Sequence, residues 1–373
     1  MDYFIKSKLN LIILFAGLTF NAPLLNPKPI KKYDKIGDFH NGMALIELNG
    51  KYGFINELYE EVITPKYDEA YDFYDNLAPV GIDGKYGFID KSGLEVIPLQ
   101  FDGLNLFIEE LALVYLDNKC GFIDKYGKII IPLKYDSANS FSDGLAWVIL
   151  NGKVGYINKV GEEVVPLKYD CVGEFSEGMA KVNLNGKYGF VDKSGHIVVP
   201  HKYDGTGDFK DGMAPVLLNN KYGYIDKSGN EIVPIKYDVI GSFNNGLALV
   251  RFNHKSGYVN SFGKVIIPLK YSIAGNFSEG LAPVANTNYK FGYIDKNGKE
   301  VIPLIYDFAG NFSEGLAPVE TNHKWGYIDR TGNVVIPFFY DEAKPFSNGK
   351  AQVNFYDLQF YIDKNGNRFP CDN

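Results

Sequence analysis

Three sets of side chains recur along this sequence in a pattern that could do chemistry. Lys51, Lys85, Lys119, Lys153, Lys187, Lys221, Lys255, Lys290 and Lys324 stand 34 residues apart, with one step of 35. Five residues beyond that slot comes an acid: Asp90, Asp124, Asp192, Asp226, Asp295, Asp329 and Asp363. Directly after the lysine stand Tyr52, Tyr86, Tyr188, Tyr222, Phe291 and Trp325. A track of repeated charges could engage an ionic ligand, and a row of outward rings could stack on sugars or an extended polymer. These six aromatics are therefore the candidate binding residues. Each set also has a structural reading. Aspartates accept backbone N–H bonds in turns, lysines guard strand ends, and aromatic rings pack between neighbouring units.

Catalytic patterns are missing from the repeated positions. Glu60-Glu61, Glu109-Glu110 and Glu162-Glu163 do not recur in register, so they read as solvated turn residues rather than as acids flanking a scissile bond. No phosphate-cradling loop, nucleophile elbow or metal-ligand spacing occurs. Cys120, Cys171 and Cys371 are far apart and odd in number, which excludes a disulfide framework and leaves each as a small hydrophobe or a tail residue. The one inserted residue, near Asn286, Thr287 and Asn288, reads as a longer hairpin loop. The chain is expected to be a non-enzyme with no catalytic residue, no metal and no cofactor. A net charge of −7, from 38 basic and 45 acidic residues, argues against a nucleic-acid partner, whose binding rests on clustered Lys and Arg.

The elements that position these residues come from one period. The glycine two residues after each lysine falls at Gly53, Gly87, Gly121, Gly155, Gly189, Gly223, Gly257, Gly292 and Gly326, and Phe360 takes its place in a tenth copy. A Tyr or Phe twenty residues ahead of it (twenty-one for Tyr271), a Phe six residues further on and an Ala five beyond that are present in all ten copies. Proline recurs at one slot from Pro98 to Pro337. With about three glycines per unit it rules out the helical repeats that share this period. In the stretch 177–203, Met179 to Leu184 reads as a strand, Asn185-Gly186 as a type I′ turn and Lys187 to Asp192 as a second strand. Asp192 to Gly195 is then a turn, and His196 to Val199 a third strand that ends at Pro200. The expected fold is all-β: a tandem array of ten three-stranded antiparallel units of about 34 residues, propeller-like, open and superhelical, with a closed β-propeller as the alternative. A three-stranded unit needs its neighbours to bury its rings. Replacing a central one, Phe243→Ala, is thus expected to destabilise by about 3 to 5 kcal/mol.

The stretches KYGYIDKSGNEIVPIKYDVIGSFNNG (221–246) and KWGYIDRTGNVVIPFFYDEAKPFSNG (324–349) resemble the bacterial WG repeat, also called the KWG repeat. Its pattern is a Lys-aromatic-Gly strand, an Asp-x-x-Gly turn, a hydrophobic-Pro strand end and a Tyr-Asp loop. The resemblance covers about nine tenths of the chain, although only Trp325 keeps the tryptophan. It implies a propeller-like or superhelical all-β array with binding or scaffold roles, often exported, and with no activity assigned to the repeat. The domain reading is a signal peptide over 1–22, a lead-in over 23–29, the ten repeats over 30–370 and a tail over 371–373. Lys6, Lys8 and the apolar run from Leu9 to Phe20 carry the signal reading. That run is too short to span a bilayer comfortably, so the only membrane attachment expected is an uncleaved N-terminal anchor. The function expected is an exported scaffold (periplasm, cell surface or secreted) with a protein or envelope component as partner. The alternative is an array that binds glycans or cell-wall polymers through the aromatic row.

Overall fold

The computed structural model describes residues 33–356 and 358–369, so the signal, lead-in and tail segments lie outside the described residues. The chain divides into two compact units, residues 1–99 and 100–373. All described elements are strands joined by turns, gathered into ten sheets with open edges. The first unit holds the sheet from Lys35 to Tyr67 and most of a second, whose last strand, Glu95–Phe101, runs across the division. The second unit holds the remaining eight sheets.

One sheet shows how the residues build the element. Cys171–Val172, Met179–Leu184, Lys187–Asp192 and Ile197–Tyr203 pair antiparallel in sequential order. Alternation buries Ala180 and Val182 on one face. Asn185 and Gly186 both have positive φ, 53° and 78°, as the type I′ turn requires. The expected three strands become four because the residues after the Tyr-Asp pair hydrogen-bond back to the first long strand: Cys171 faces Asn183 and Val172 faces Val182. The last strand does not stop at Pro200, as the sequence reading had it, but continues to Tyr203. It tolerates the proline because it lies at the edge of the sheet and bulges there.

That bulge explains the repeated glycine. Tyr188 pairs with Tyr203 and Phe190 with Val199, so three residues of the outer strand fold over Gly189 alone. A Cβ on Gly189 would sit 2.4 Å from the Val199 carbonyl oxygen and 2.9 Å from the His201 nitrogen, both backbone. In the tenth sheet the described residues give three strands, Glu342–Ala343, Ala351–Phe355 and Leu358–Ile362, with Phe360 in the glycine slot and a bridge from Ile362 to Arg368 beside it.

Hydrophobic cores lie between sheets rather than within them. Met179, Phe190, Val199 and Tyr203 of one sheet meet Phe209, Ala214, Val216 and Ile225 of the next. The ring of Phe190 stands edge-on to Phe209 at 4.7 Å. Where the first ring is a tyrosine, the contact gains a hydrogen bond: Tyr293 lies 4.8 Å from Phe312 and its hydroxyl donates to the Gly310 carbonyl at 2.6 Å. The Asp-x-x-Gly turn also abuts its predecessor, since a Cβ on Gly195 would stand 1.9 Å from the Val164 carbonyl oxygen.

Two expectations follow for urea unfolding. Gly189→Ala should destabilise by about 1 to 3 kcal/mol, because the Cβ would meet only backbone of the outer strand, which has no flexible group to give way. Phe209→Ala, at a site 1% exposed, should lose about 3 to 5 kcal/mol. Phe243 is only half-buried, against the cluster of Tyr224 and Val233. Phe243→Ala should therefore lose less than Phe209→Ala, below the range expected from sequence.

Candidate functional site

The six candidate aromatics occupy the hairpin end of each sheet, on the face that also carries the buried ring two residues later. Tyr52, Tyr86, Tyr188 and Trp325 are half-buried. Tyr52 packs against the cluster of Phe54 and Tyr67, and Tyr188 against that of Phe190 and Phe209. The Tyr86 hydroxyl donates to Glu69 Oε1 at 2.8 Å, which together with burial raises its pKa. Phe291 is buried, 5.2 Å from the Phe308 ring, and Trp325 lies 5.4 Å from that same ring. Tyr222 is the most open of the six, at 37% exposure. Tyr52, Tyr188, Phe291 and Trp325 thus engage in packing between sheets.

The lysines and aspartates are also engaged. The acid of the Tyr-Asp pair, which the sequence reading left among structural loops, takes the lysine seventeen residues before it and a backbone N–H fifteen residues after it. Asp170 accepts from Lys153 Nζ at 2.6 Å and from the Asn185 N–H at 2.7 Å. The same clasp joins Lys324, Asp341 and the Tyr356 N–H, and it recurs at Asp136, Asp204, Asp238 and Asp307. The lysine belongs to one sheet and the N–H to the turn of the next, so the carboxylate ties two sheets together. The lysine holds the Asp170 carboxyl below its ordinary range, helped by the Asn185 N–H.

The other acid series stays inside its turn. Asp192 Oδ1 accepts the Ser194 and His196 N–H groups at 2.9 and 3.0 Å. At Asp329, the Thr331 hydroxyl first, with Asn333 and the turn N–H groups, holds the carboxyl down at about 2. At the opposite end of the sheets from the clasps, a second tie appears that the sequence reading missed. Glu177 accepts the Gly212 N–H of the next sheet at 3.0 Å and pairs with Lys227, while Ser176 Oγ donates to the Phe209 carbonyl at 2.7 Å. Glu109, read from sequence as a solvated turn residue, makes the same bonds with the Gly144 N–H and Lys159. The reading also passed over the aromatic directly after the glycine, Phe or Tyr in all ten copies, although the register shows it.

The insertion lengthens a hairpin loop, as expected, with Asn286 Oδ1 accepting the N–H groups of Asn288 and Lys290 at 2.9 and 3.1 Å. Cys120 is buried like a small hydrophobe, and burial, with the Asp136 charge, pushes its thiol up to about 11. Cys171 is exposed instead, because the two-residue strand that carries it lies at a sheet edge. Cys371 lies outside the described residues. Among the described residues no three His, Cys, Asp or Glu side chains gather as metal ligands.

A family model described as the WG containing repeat matches residues 30–52, 52–86, 86–120, 121–153, 155–188, 188–222, 222–255, 257–290, 291–325 and 325–357. No curated protein matches the chain. Among solved structures, the chain is similar to a eukaryotic initiation factor at 12% identity and a TM-score of 0.34, over 77% of this chain and 93% of that one. It is similar to BamB from Moraxella catarrhalis at 11% identity and a TM-score of 0.28, over 72% and 98% of the two chains. A third likeness is to PorZ, a surface component of the type-IX secretion system of Porphyromonas gingivalis, at 10% identity and a TM-score of 0.25 over 91% and 52%.

The lowered carboxyl pKa values set an acid limit. Stability from groups such as Asp329 is fully present above their ordinary value near 3.8 and is lost as pH falls toward about 2. The urea midpoint should therefore hold from neutral pH to about 5 and then drop, and Asp329→Asn should flatten that drop. A thiol reagent at pH 7.5 should label Cys171 in the native protein and leave Cys120 unmodified until urea is added.

Proposed function

The chain belongs to the WG containing repeat family, and from that premise we propose that it is a non-enzymatic, exported scaffold whose stacked sheets hold a protein or cell-envelope partner. The observation that carries this reading is the use of the repeated polar groups. Lysines and Tyr-Asp carboxylates close clasps, turn aspartates bond their own turns, and loop-tip glutamates and serines bond the next sheet. Groups engaged in this way hold sheets in register and are unavailable to turn over a substrate. Recognition falls instead to residues that differ between copies, presented on a rigid framework, which suits a binding surface better than a catalytic one. Export rests on the apolar run from Leu9 to Phe20 behind Lys6 and Lys8.

The glycan reading keeps one specific support, the partial exposure of Tyr222 at the seam between two sheets. Ring faces of this kind stack on sugars as readily as they pack on neighbours.

Cross-linking in intact producing cells, followed by affinity recovery of the tagged full chain, is the test. A scaffold should retain one or a few protein partners from the envelope fraction, with its N-terminal segment removed. Retention on purified cell-wall polymers that Tyr222→Ala abolishes, without any protein partner, would replace the scaffold by the glycan-binding array.

A further inference from the structure

The Tyr-Asp segment supplies an aspartate in nine of ten copies and Ser272 in the other. On either side of this copy the clasp is complete: Asp238 has Lys221 and the Asn253 N–H, and Asp307 has Lys290 and the Asn322 N–H. The corresponding donors for Ser272 are Lys255 and the Thr287 N–H. Both residues, with Ser272 itself, line a cleft of about 610 Å³ between two consecutive sheets. Among the described residues neither donor has an acceptor. The array here keeps the two groups that elsewhere hold a carboxylate, and the sequence lacks the carboxylate.

Other departures from the repeat converge on the same cleft. Ser256 stands where six other copies carry an aromatic ring; it is 4% exposed, and its small side chain leaves the space that the ring would fill. Arg251, at a position that no other copy fills with a basic residue, pairs across the hairpin with Ser256, and His254 adds an imidazole. Asp238 lies near enough to His254 for their charges to interact, but its oxygens are taken by Lys221 and the Asn253 N–H. The inserted residue belongs to the loop that carries Thr287 and Tyr289 to the opposite wall. Between the cations and that loop the lining is apolar, with Val239 and Ile273 each 42% exposed.

We propose that this cleft binds a carboxylate carried by an acidic peptide segment of a partner protein, in the position that the Tyr-Asp carboxylate holds elsewhere in the array. The donor pair is the one the fold already uses for an aspartate on an extended chain, with one oxygen to a lysine and one to a backbone N–H. Arg251 adds charge complementarity, which favours an acid over a neutral amide. Val239 and Ile273 give apolar side chains beside the acid a surface to cover, where the hydroxyls of an acidic sugar would be left without partners. The proposal deepens the scaffold reading and rests on it for the partner being a protein.

Calorimetric titration of the full chain with the peptide N-acetyl-Leu-Tyr-Asp-Val-amide tests it. The peptide should bind, and its Asn counterpart and the Lys255→Gln variant should each weaken binding by about tenfold or more. Ser272→Asp restores the repeated acid and should abolish binding while its urea midpoint stays at or above that of the wild type. Equal binding of the Asp and Asn peptides, unchanged binding by Ser272→Asp, no peptide binding, or preferential binding of a glucuronic acid disaccharide or of inorganic phosphate overturns the proposal. Failure here leaves the scaffold reading intact if envelope proteins are still recovered. Peptide binding without any recovered partner removes the scaffold reading instead.

Discussion

A sheet of four short strands cannot bury either of its own faces, and the repeated residues of this chain answer that constraint. The ring after each glycine, the loop phenylalanine, and the strand alanines and valines form clusters that belong to pairs of consecutive sheets. The glycine makes the pairing workable. By letting the outer strand fold over bare backbone, it brings the tyrosine at that strand's end, such as Tyr203, into the inter-sheet core.

Apolar burial has no direction, so it brings sheets together without setting how they are aligned. Directional bonds at both ends do that: the Lys-Asp clasp at the hairpin end and the Glu and Ser ties at the loop tips. Each clasp is partly exposed and contributes modestly as an ion pair. The same carboxylate also accepts an N–H in a turn that has no strand partner. A copy that loses the acid still folds, and it leaves two donors facing a cleft.

Much of this is legible in the sequence. Asn185-Gly186 announced its turn because two successive positive φ values suit few residues, and the alternation around Ala180 and Val182 marked the buried face. The fourth strand was not legible, since a two-residue pairing leaves no periodic signal. Nor was the course of Pro200: a proline ends a strand in most settings, and only the partner's missing side chain at Gly189 lets the strand bulge past it. The aromatic row was named from its spacing, but spacing along one strand does not say how much of a ring the next sheet covers.

The sequence by itself determined that this is a ten-copy β array, where its turns fall and which slots carry rings and charges, because those depend on local backbone preference and on period. Partnership was decided by the tertiary structure. That Lys187 answers Asp204 rather than Asp192 of its own turn, that Glu177 reaches the next loop, and that Lys255, Arg251, Ser272 and Thr287 share one cleft all depend on how two sheets stack. Residues 17 or 35 positions apart become neighbours only when the inter-sheet core closes, and no one-dimensional period encodes that approach.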